Sequence, residues 1–256
     1  MSLSINIDGK ACTGEIGETL LAVAQRNGLV IPTLCHSKAL PGQGCCRVCM
    51  VEIDEGMGPR MVAACVHKLT VDAVVDTSND KVQRVRKVNL ALVRARAPQS
   101  EAVLELCRQY EVEEKPKYVG VDTTKCILCG LCVQACSLNG TSAISISGRG
   151  VGKKISTPYE KPSAYCIGCG SCSRICPCEA IELKEEGGKR RIWDKDFTLV
   201  ACKSCGKYFA TPEELLHSQQ KSGAEQAAVY CEDCRRSRLS DKVWNLVANV
   251  PHCEDY

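Results

Sequence analysis

Two runs of cysteine stand in the middle of this chain: Cys126, Cys129, Cys132 and Cys136, then Cys166, Cys169, Cys172 and Cys176, the last followed by Pro177. Each run has the spacing C-x2-C-x2-C-x3-C. Three thiolates on one tight loop bind three corners of a [4Fe-4S] cube, while the fourth cysteine opens a helix that leads away. The fourth corner must then come from the other run. One cluster is therefore expected on Cys126, Cys129, Cys132 and Cys176, and the other on Cys166, Cys169, Cys172 and Cys136. Gly130 and Gly170 fall where the backbone must turn sharply around an inorganic core. Structural zinc is the poorer reading, because zinc takes four ligands in paired C-x2-C knuckles rather than triplets. Disulfides between cysteines two residues apart are labile, and they do not come in eights.

The double run, ending in Cys-Pro, is similar to the ligand run of two-cubane bacterial ferredoxins. Composition agrees with a chain held together by metal. In 256 residues Phe occurs twice and aromatic residues make up 4%, against 21 cysteines. Apolar side chains alone would make thin cores, and clusters that bind only the folded state compensate. The first residues lack a charged start and an apolar stretch, so no signal peptide is expected. No apolar run reaches the ~20 residues that cross a bilayer. A reducing cytoplasm is the expected location, since thiols there serve metals. The charge balance, 33 basic against 30 acidic residues, implies no strong bulk field.

Residues 1–80 predict a second kind of cluster. Leu3, Ile5 and Ile7 alternate with polar residues, and Asp8-Gly9 follows as a hairpin turn signal. A helix is expected over 19–27, stopped by Gly28, with further strands over 50–53, 60–64 and 73–76. Cys35, Cys46, Cys49 and Cys65 are spaced C-x10-C-x2-C-x15-C. A cysteine-bearing loop laid over such strands predicts a β-grasp [2Fe-2S] ferredoxin domain. Cys45 offers itself as a ligand beside Cys46; the x2 spacing to Cys49 favours Cys46. Cys12 reads as a small buried hydrophobe.

This region resembles the N-terminal [2Fe-2S] domain of the large iron–sulfur subunit of respiratory complex I, and the electron-transfer subunit of NAD-linked hydrogenases, which share the C-x10-C-x2-C spacing. The resemblance covers most of residues 1–185. In that family a segment with one His and three Cys binds a further [4Fe-4S] cluster. Between Ala97 and Lys125 this sequence has no His and only Cys107, so that cluster is expected to be missing. Residues 81–119 predict a helical linker instead. The first helix runs over 81–97 with Val82, Val85, Val88, Leu92 and Val93 as its apolar stripe, and the second over 100–110 packs Val103, Leu104 and Leu106. The basic face of the first helix has no interleaved aromatic residue, so nucleic-acid binding is not expected.

Within residues 120–195, the two-[4Fe-4S] ferredoxin-like domain, a strand is expected over 142–147, then a glycine-rich hairpin connection over 148–152. The latter fails as a phosphate loop, because G-x4-G-K-[ST] is not matched. Residues 196–256 predict a small zinc-ribbon-like domain. Cys202, Cys205, Cys231 and Cys234 form two C-x2-C knuckles 25 residues apart, a tetrahedral site of four sulfurs. Residues 197–201 read as a strand, Thr211-Pro212 as a helix start, and Ser240 as the cap of a last helix carrying Val243, Trp244, Leu246 and Val247. Zinc is favoured by the symmetric knuckles, and iron is equally permitted by four thiolates. His217 and His252 lack partners at ligand spacing.

The whole therefore reads as an α+β chain: a β-grasp domain, a helical linker, a two-cubane domain and a four-cysteine metal-binding module. Twelve cysteines serve three redox clusters, four the C-terminal site, and five are left over: Cys12, Cys45, Cys107, Cys178 and Cys253. No nucleotide-binding fingerprint, nucleophile elbow or catalytic constellation appears, so no catalytic residue is expected. The available chemistry is one-electron transfer at low potential, on the order of −400 mV for the plant-like cluster. The resemblance implies a flavin-containing NAD(P)H-oxidising subunit as one partner and a second redox unit as the other: a hydrogenase, a formate dehydrogenase or another flavoprotein. The lack of a following catalytic domain and of the His-Cys cluster points to an electron-bifurcating or NAD(P)-linked flavoprotein complex. The alternative is a free-standing polyferredoxin, against which the net charge of +3 argues, since such carriers are acidic.

Overall fold

The computed structural model describes residues 2–112, 124–223 and 229–248. The chain forms two compact units: Met1–Ser156 with Ser171–Ile181, and Thr157–Gly170 with Glu182–Tyr256.

In the first unit, β1 (Ser2–Ile7) and β2 (Lys10–Glu15) form a hairpin whose two turn residues, Asp8 and Gly9, both have positive φ, 50° and 83°. A two-residue hairpin turn of this hand requires that pair of conformations, which is why Asp-Gly occupies it. Alternation sends Leu3, Ile5 and Ile7 to the buried face. The helix α1 (Leu20–Arg26) starts where the Thr19 hydroxyl accepts the N–H of Ala22 at 3.3 Å, and it buries Leu20, Leu21, Val23 and Ala24. Next come β3 (Met50–Asp54), β4 (Arg60–Ala63) and β5 (Ala73–Asp76). The sheet order is β2-β1-β5-β3-β4, with β1 parallel to β5 and the other pairs antiparallel, a β-grasp arrangement. The Asp8 carboxylate ties the end of β1 to the end of β5 by accepting the N–H of Thr77 at 2.7 Å and the Thr77 hydroxyl at 2.5 Å. Ile5, Ile7, Leu20, Leu21, Val51, Ile53 and Leu69 are fully buried together, each contributing about 1.5–3 kcal/mol.

The helix α2 (Asp80–Arg96) is capped by Asn79, whose side chain accepts the N–H of Val82 at 2.9 Å. Its inward stripe differs from the expected one. Val82, Arg86, Leu90 and Ala95 are buried, whereas Val88 and Leu92 are exposed. A charged residue takes an inward position because Arg86 finds partners there: its Nε donates to the carbonyl of Met50 at 3.1 Å and its guanidinium lies over the Tyr110 ring, 5.9 Å from the centroid. The helix α3 (Glu101–Gln109) buries Val103 and Cys107 against α2.

The helices α4 (Leu131–Leu138) and α5 (Ser171–Arg174) pack together. Between them in sequence, β6 (Ser145–Ser147) pairs antiparallel with β7 (Lys154–Ser156) across the glycine turn, as the hairpin reading anticipated. Arg96 secures this turn by donating to the carbonyls of Val151 and Lys153. The strand is shorter than the expected 142–147, because Ser142 has a φ of 44°, which no ladder position tolerates.

The second unit contains a meander of β8 (Leu183–Glu186), β9 (Lys189–Ile192) and β10 (Lys195–Thr198). A two-stranded ladder of β11 (Val200–Ala201) and β12 (Tyr208–Ala210) follows, then α6 (Pro212–Ser222) and α7 (Glu232–Ala248). Two sequence expectations are corrected. The strand over 197–201 is divided at Leu199: Phe197 and Thr198 pair with β9, Val200 and Ala201 pair with β12, and the Leu199 side chain between them is buried. The last helix begins at Glu232 rather than at Ser240. Glu232 and Asp233 in its first turn suit the positive end of the helix dipole, so Ser240 lies mid-helix, and Val243 and Trp244 are exposed. The side chains of Leu246 and Val247, and residues His252 and Cys253, lie outside the described residues. Among the described residues no helix is long and apolar enough to cross a membrane.

Candidate iron–sulfur and metal centres

The loop between α1 and β3 has no regular structure and carries three of the four expected [2Fe-2S] ligands. Cys35, Cys46, Cys49 and Cys65 are all buried, between 1% and 7% exposed, while Cys45 is exposed with its thiol still in contact with that of Cys35. The Cys49 and Cys65 sulfurs are 3.3 Å apart, and the N–H of Cys46 donates to the Cys35 sulfur at 3.4 Å. The loop can run this close because Gly42 has no side chain; a Cβ there would lie 2.8 Å from the carbonyl oxygen of Cys65.

So many thiols in one small volume compete for protons. Contact with the thiols of Cys45, Cys46 and Cys65 drives Cys35 far below the ordinary thiol range. Its contact in turn pushes Cys46 and Cys65 upward. Cys65 draws Cys49 down to about 7 against the opposing effect of burial. Burying thiolates is costly unless positive charge accompanies them. Four sulfur donors with no carboxylate among them suit iron or zinc, and this donor set fits a [2Fe-2S] cluster.

Four other expected ligands also lie in the first unit: Cys126, Cys129, Cys132 and Cys176. Leu128 and Gly130 take positive φ, 55° and 76°, so the chain curls around the sulfurs. The N–H groups of Leu128 and Ala180 donate to the sulfurs of Cys126 at 3.4 Å and Cys176 at 3.3 Å. Such N–H···S bonds stabilise the charge of a cluster's thiolates. Burial, the largest influence on both, raises Cys129 to about 11 and Cys132 to about 12, so without a cation these thiols stay protonated. Cys136 at the end of α4 accepts the N–H of Ala143 at 3.2 Å. Cys136 and Cys172 belong to the first unit, Cys166 and Cys169 to the second.

One apolar core joins the first two sets. Cys35, Cys46, Val48 and Leu34 pack with Leu90, Val103 and Cys107 of the helical linker and with Cys129, Leu131 and Cys178. Gln43 of the first loop packs over Gly130 of the second, and an added Cβ at Gly130 would meet it at 3.0 Å. Cys107 and Cys178 are buried in this core, and Cys12 in that of the β-grasp. They serve there as small apolar side chains.

In the second unit, residues 166–169 form the turn between two expected ligands. Its carbonyls are taken by side chains that the sequence did not single out for that purpose: Lys195 on Cys166, Thr211 on Ile167 and Arg190 on Gly168. Lys195 and Arg190 stand among many other basic residues, and nothing in local sequence marks them. Cys202, Cys205, Cys231 and Cys234 come together as expected, with all four sulfurs within 4.8 Å of one another. The N–H of Cys231 donates to the Cys202 sulfur at 3.3 Å and holds that thiol down to about 6. Gly206, with φ 73°, completes the first knuckle through its N–H to the Cys202 carbonyl at 2.9 Å. The donor set and spacing fit one tetrahedral metal.

Comparison with known proteins identifies two cluster-binding domains. Residues 1–80 match the family model of a 2Fe-2S iron-sulfur cluster binding domain, and residues 120–183 that of a 4Fe-4S dicluster domain. The chain is 29% identical over 230 residues to the G 2 subunit of the NADH-quinone oxidoreductase of Rhizobium meliloti, covering 80% of this chain and 27% of that one. It is 30% identical over 227 residues to the alpha subunit of the NADPH-Fe(3+) oxidoreductase of Geobacter sulfurreducens, covering 79% of this chain and 26% of that one. It thus spans about a quarter of the length of these relatives. A shorter relative, the gamma subunit of the NAD-reducing hydrogenase HoxS of Cupriavidus necator, is 30% identical over 189 residues, 64% of this chain and 79% of that one. A crystal structure of an NAD+-reducing [NiFe]-hydrogenase in the H2-reduced state contains a chain that superposes with a TM-score of 0.59 at 26% identity, over 70% of this chain and 86% of that one. With both cluster-binding domains matched and relatives of this kind, the chain belongs to the family of iron–sulfur electron-transfer subunits that includes the HoxS gamma chain and its NADH-quinone oxidoreductase counterpart.

Proposed function

We propose that this chain is the wiring of a multisubunit NAD(P)-linked flavoprotein oxidoreductase, and that it passes single electrons between a flavin subunit and a second redox partner, in an electron-bifurcating assembly. The observation that carries the reading is the shared core in which Cys46 of one thiol set and Cys129 of the next are buried together. Two redox groups seated on one rigid, apolar wall exchange electrons without a diffusive step. The names of the relatives support the partners: each is a subunit of a complex that uses NADH, NAD or NADPH.

In this reading the [2Fe-2S] cluster sits on Cys35, Cys46, Cys49 and Cys65. One cubane sits on Cys126, Cys129, Cys132 and Cys176, and the other on Cys166, Cys169, Cys172 and Cys136. When bound, the clusters supply reversible one-electron chemistry. The chain contributes thiolates, the N–H donors of Leu128, Ala180 and Ala143, and exclusion of water. Zinc occupies Cys202, Cys205, Cys231 and Cys234 as a redox-silent brace. The protein works in the cytoplasm.

Iron, acid-labile sulfide and zinc counted on anaerobically purified protein test this directly. About ten iron atoms and one zinc per chain are expected, from one [2Fe-2S] and two [4Fe-4S]. About fourteen iron atoms and no zinc would place a third cubane at the C-terminal site. Purification from the native host should bring down a flavin-bearing partner; a lone brown monomer would favour a free polyferredoxin.

A further inference from the structure

We propose that Lys195, Thr211 and Arg190 hold the 166–168 ligand turn by its backbone, so that the C-terminal four-cysteine module sets the geometry and reduction potential of the cubane this turn ligates. The inference rests on the reading of Cys166 and Cys169 as cubane ligands.

Three consecutive carbonyls of the turn are each taken by a different side chain. Lys195 Nζ donates to Cys166 at 2.8 Å, Thr211 Oγ1 to Ile167 at 2.6 Å, and Arg190 Nη1 to Gly168 at 2.7 Å. Lys195 reaches the carbonyl of Ser163 as well, at 3.2 Å. The other face of the turn is closed by Phe197. Gly168 has φ 68°, and a Cβ built there would fall 2.8 Å from the Phe197 ring. A turn so fastened cannot shift its flanking sulfurs independently of the module beneath.

That module is tied to the four knuckle cysteines. Arg190 is 1% exposed and also contacts the carbonyl of Phe209 on β12 at 3.4 Å and the carboxylate of Glu214 on α6 at 3.4 Å. Thr211 is at the same time the N-cap of α6, accepting the N–H of Glu214 at 3.0 Å. The strand β12 pairs with β11, which runs directly into Cys202, and α6 lies between the two knuckles in the chain. Loss of the knuckle metal therefore loosens the donors of the turn.

The two cations are not equivalent. Arg190 faces Glu185 at 2.7 Å as well as Glu214, and its charge is balanced. Lys195 meets two carbonyls and the π face of Phe197, 4.8 Å from the ring centroid. None of these three partners carries a charge, so the Lys195 charge beside the Cys166 backbone favours the more negative, reduced cluster and raises the potential.

The test is an anaerobic, EPR-monitored redox titration of the full-length chain. Lys195→Met is expected to lower one [4Fe-4S] midpoint, with about a tenfold fall in the ratio of reduced to oxidised cluster at fixed potential, equivalent to about 59 mV for one electron. Lys195→Arg should restore it. Unchanged midpoints in a fully loaded Lys195→Met chain overturn the tuning role. Cys205→Ser, which opens the knuckle site, is expected to speed amide exchange across residues 166–170 at least tenfold, as should Thr211→Val. Unaltered exchange in the Cys205→Ser chain overturns the link to the module. Cys169→Ser separates this idea from the one beneath it: if that variant keeps both cubane signals, the ligand assignment fails rather than the tuning.

Discussion

The sulfur of Cys45 lies 3.6 Å from the carbonyl oxygen of Cys129, joining the loop of one thiol set to that of the next. Its neighbour Cys46 is buried in the core, 7% exposed. Both thiols nevertheless contact Cys35, so the two neighbours compete for one ligand position. Cys46→Ser is expected to abolish the [2Fe-2S] EPR signal, and Cys45→Ser to leave it in place. The reverse pattern would make Cys45 the ligand.

Gly168 combines a left-handed backbone with an aromatic ring pressed against its Cα. Alanine there adds about 1–3 kcal/mol of backbone strain and a steric overlap with Phe197. Gly168→Ala should therefore purify with about four iron atoms fewer than the parent chain, one cubane's worth. Full iron content would mean that the turn is softer than its contacts imply.

The Asn79 side chain satisfies the Val82 N–H and at the same time donates from Nδ2 to Glu52 on β3 at 2.8 Å. Removing an N-cap of this type costs about 1 kcal/mol. In Asn79→Ala, amides in the first turn of α2 are expected to exchange about fivefold faster, with cluster content unaffected. A change in iron content instead would assign Asn79 a role in cluster seating.

Replacing Cys205 and Cys234 together removes half of the four-sulfur site. Zinc should fall to zero, the iron count should stay at about ten, and protection of α6 amides should drop. The [2Fe-2S] spectrum should persist, since Cys35, Cys46, Cys49 and Cys65 all belong to the other unit. A fall from about fourteen iron atoms to about ten, with no zinc in the parent chain, would show that the site carries a cubane.

Much of this was legible from residue order alone, for a specific reason. Cluster ligation fixes sulfur spacing over a few residues, and short-range geometry is what a linear sequence records best. The Asp8-Gly9 hairpin, the Thr211 cap and the Gly148 to Gly152 connection follow from the same local chemistry. The failures arose where a distant partner overrode local pattern. Arg86 is buried because Met50 and Tyr110 receive it, although a hydrophobic stripe would exclude a charge. Leu199 divides a strand because the residues on either side of it pair with different partners, β9 and β12.

The order of residues by itself determined the spacing of the cysteines and that two ferredoxin-type cluster-binding domains and a C-terminal cysteine group are present. Only the tertiary structure decided what surrounds each set: that Cys46 is buried and Cys45 exposed, that Cys129 shares the apolar wall of Cys46, and that Lys195, Thr211 and Arg190 converge on one turn. Ligand spacing is a property of a few consecutive bonds. The environment that tunes a ligand is assembled from residues far apart in the chain, whose meeting depends on the packing of the whole.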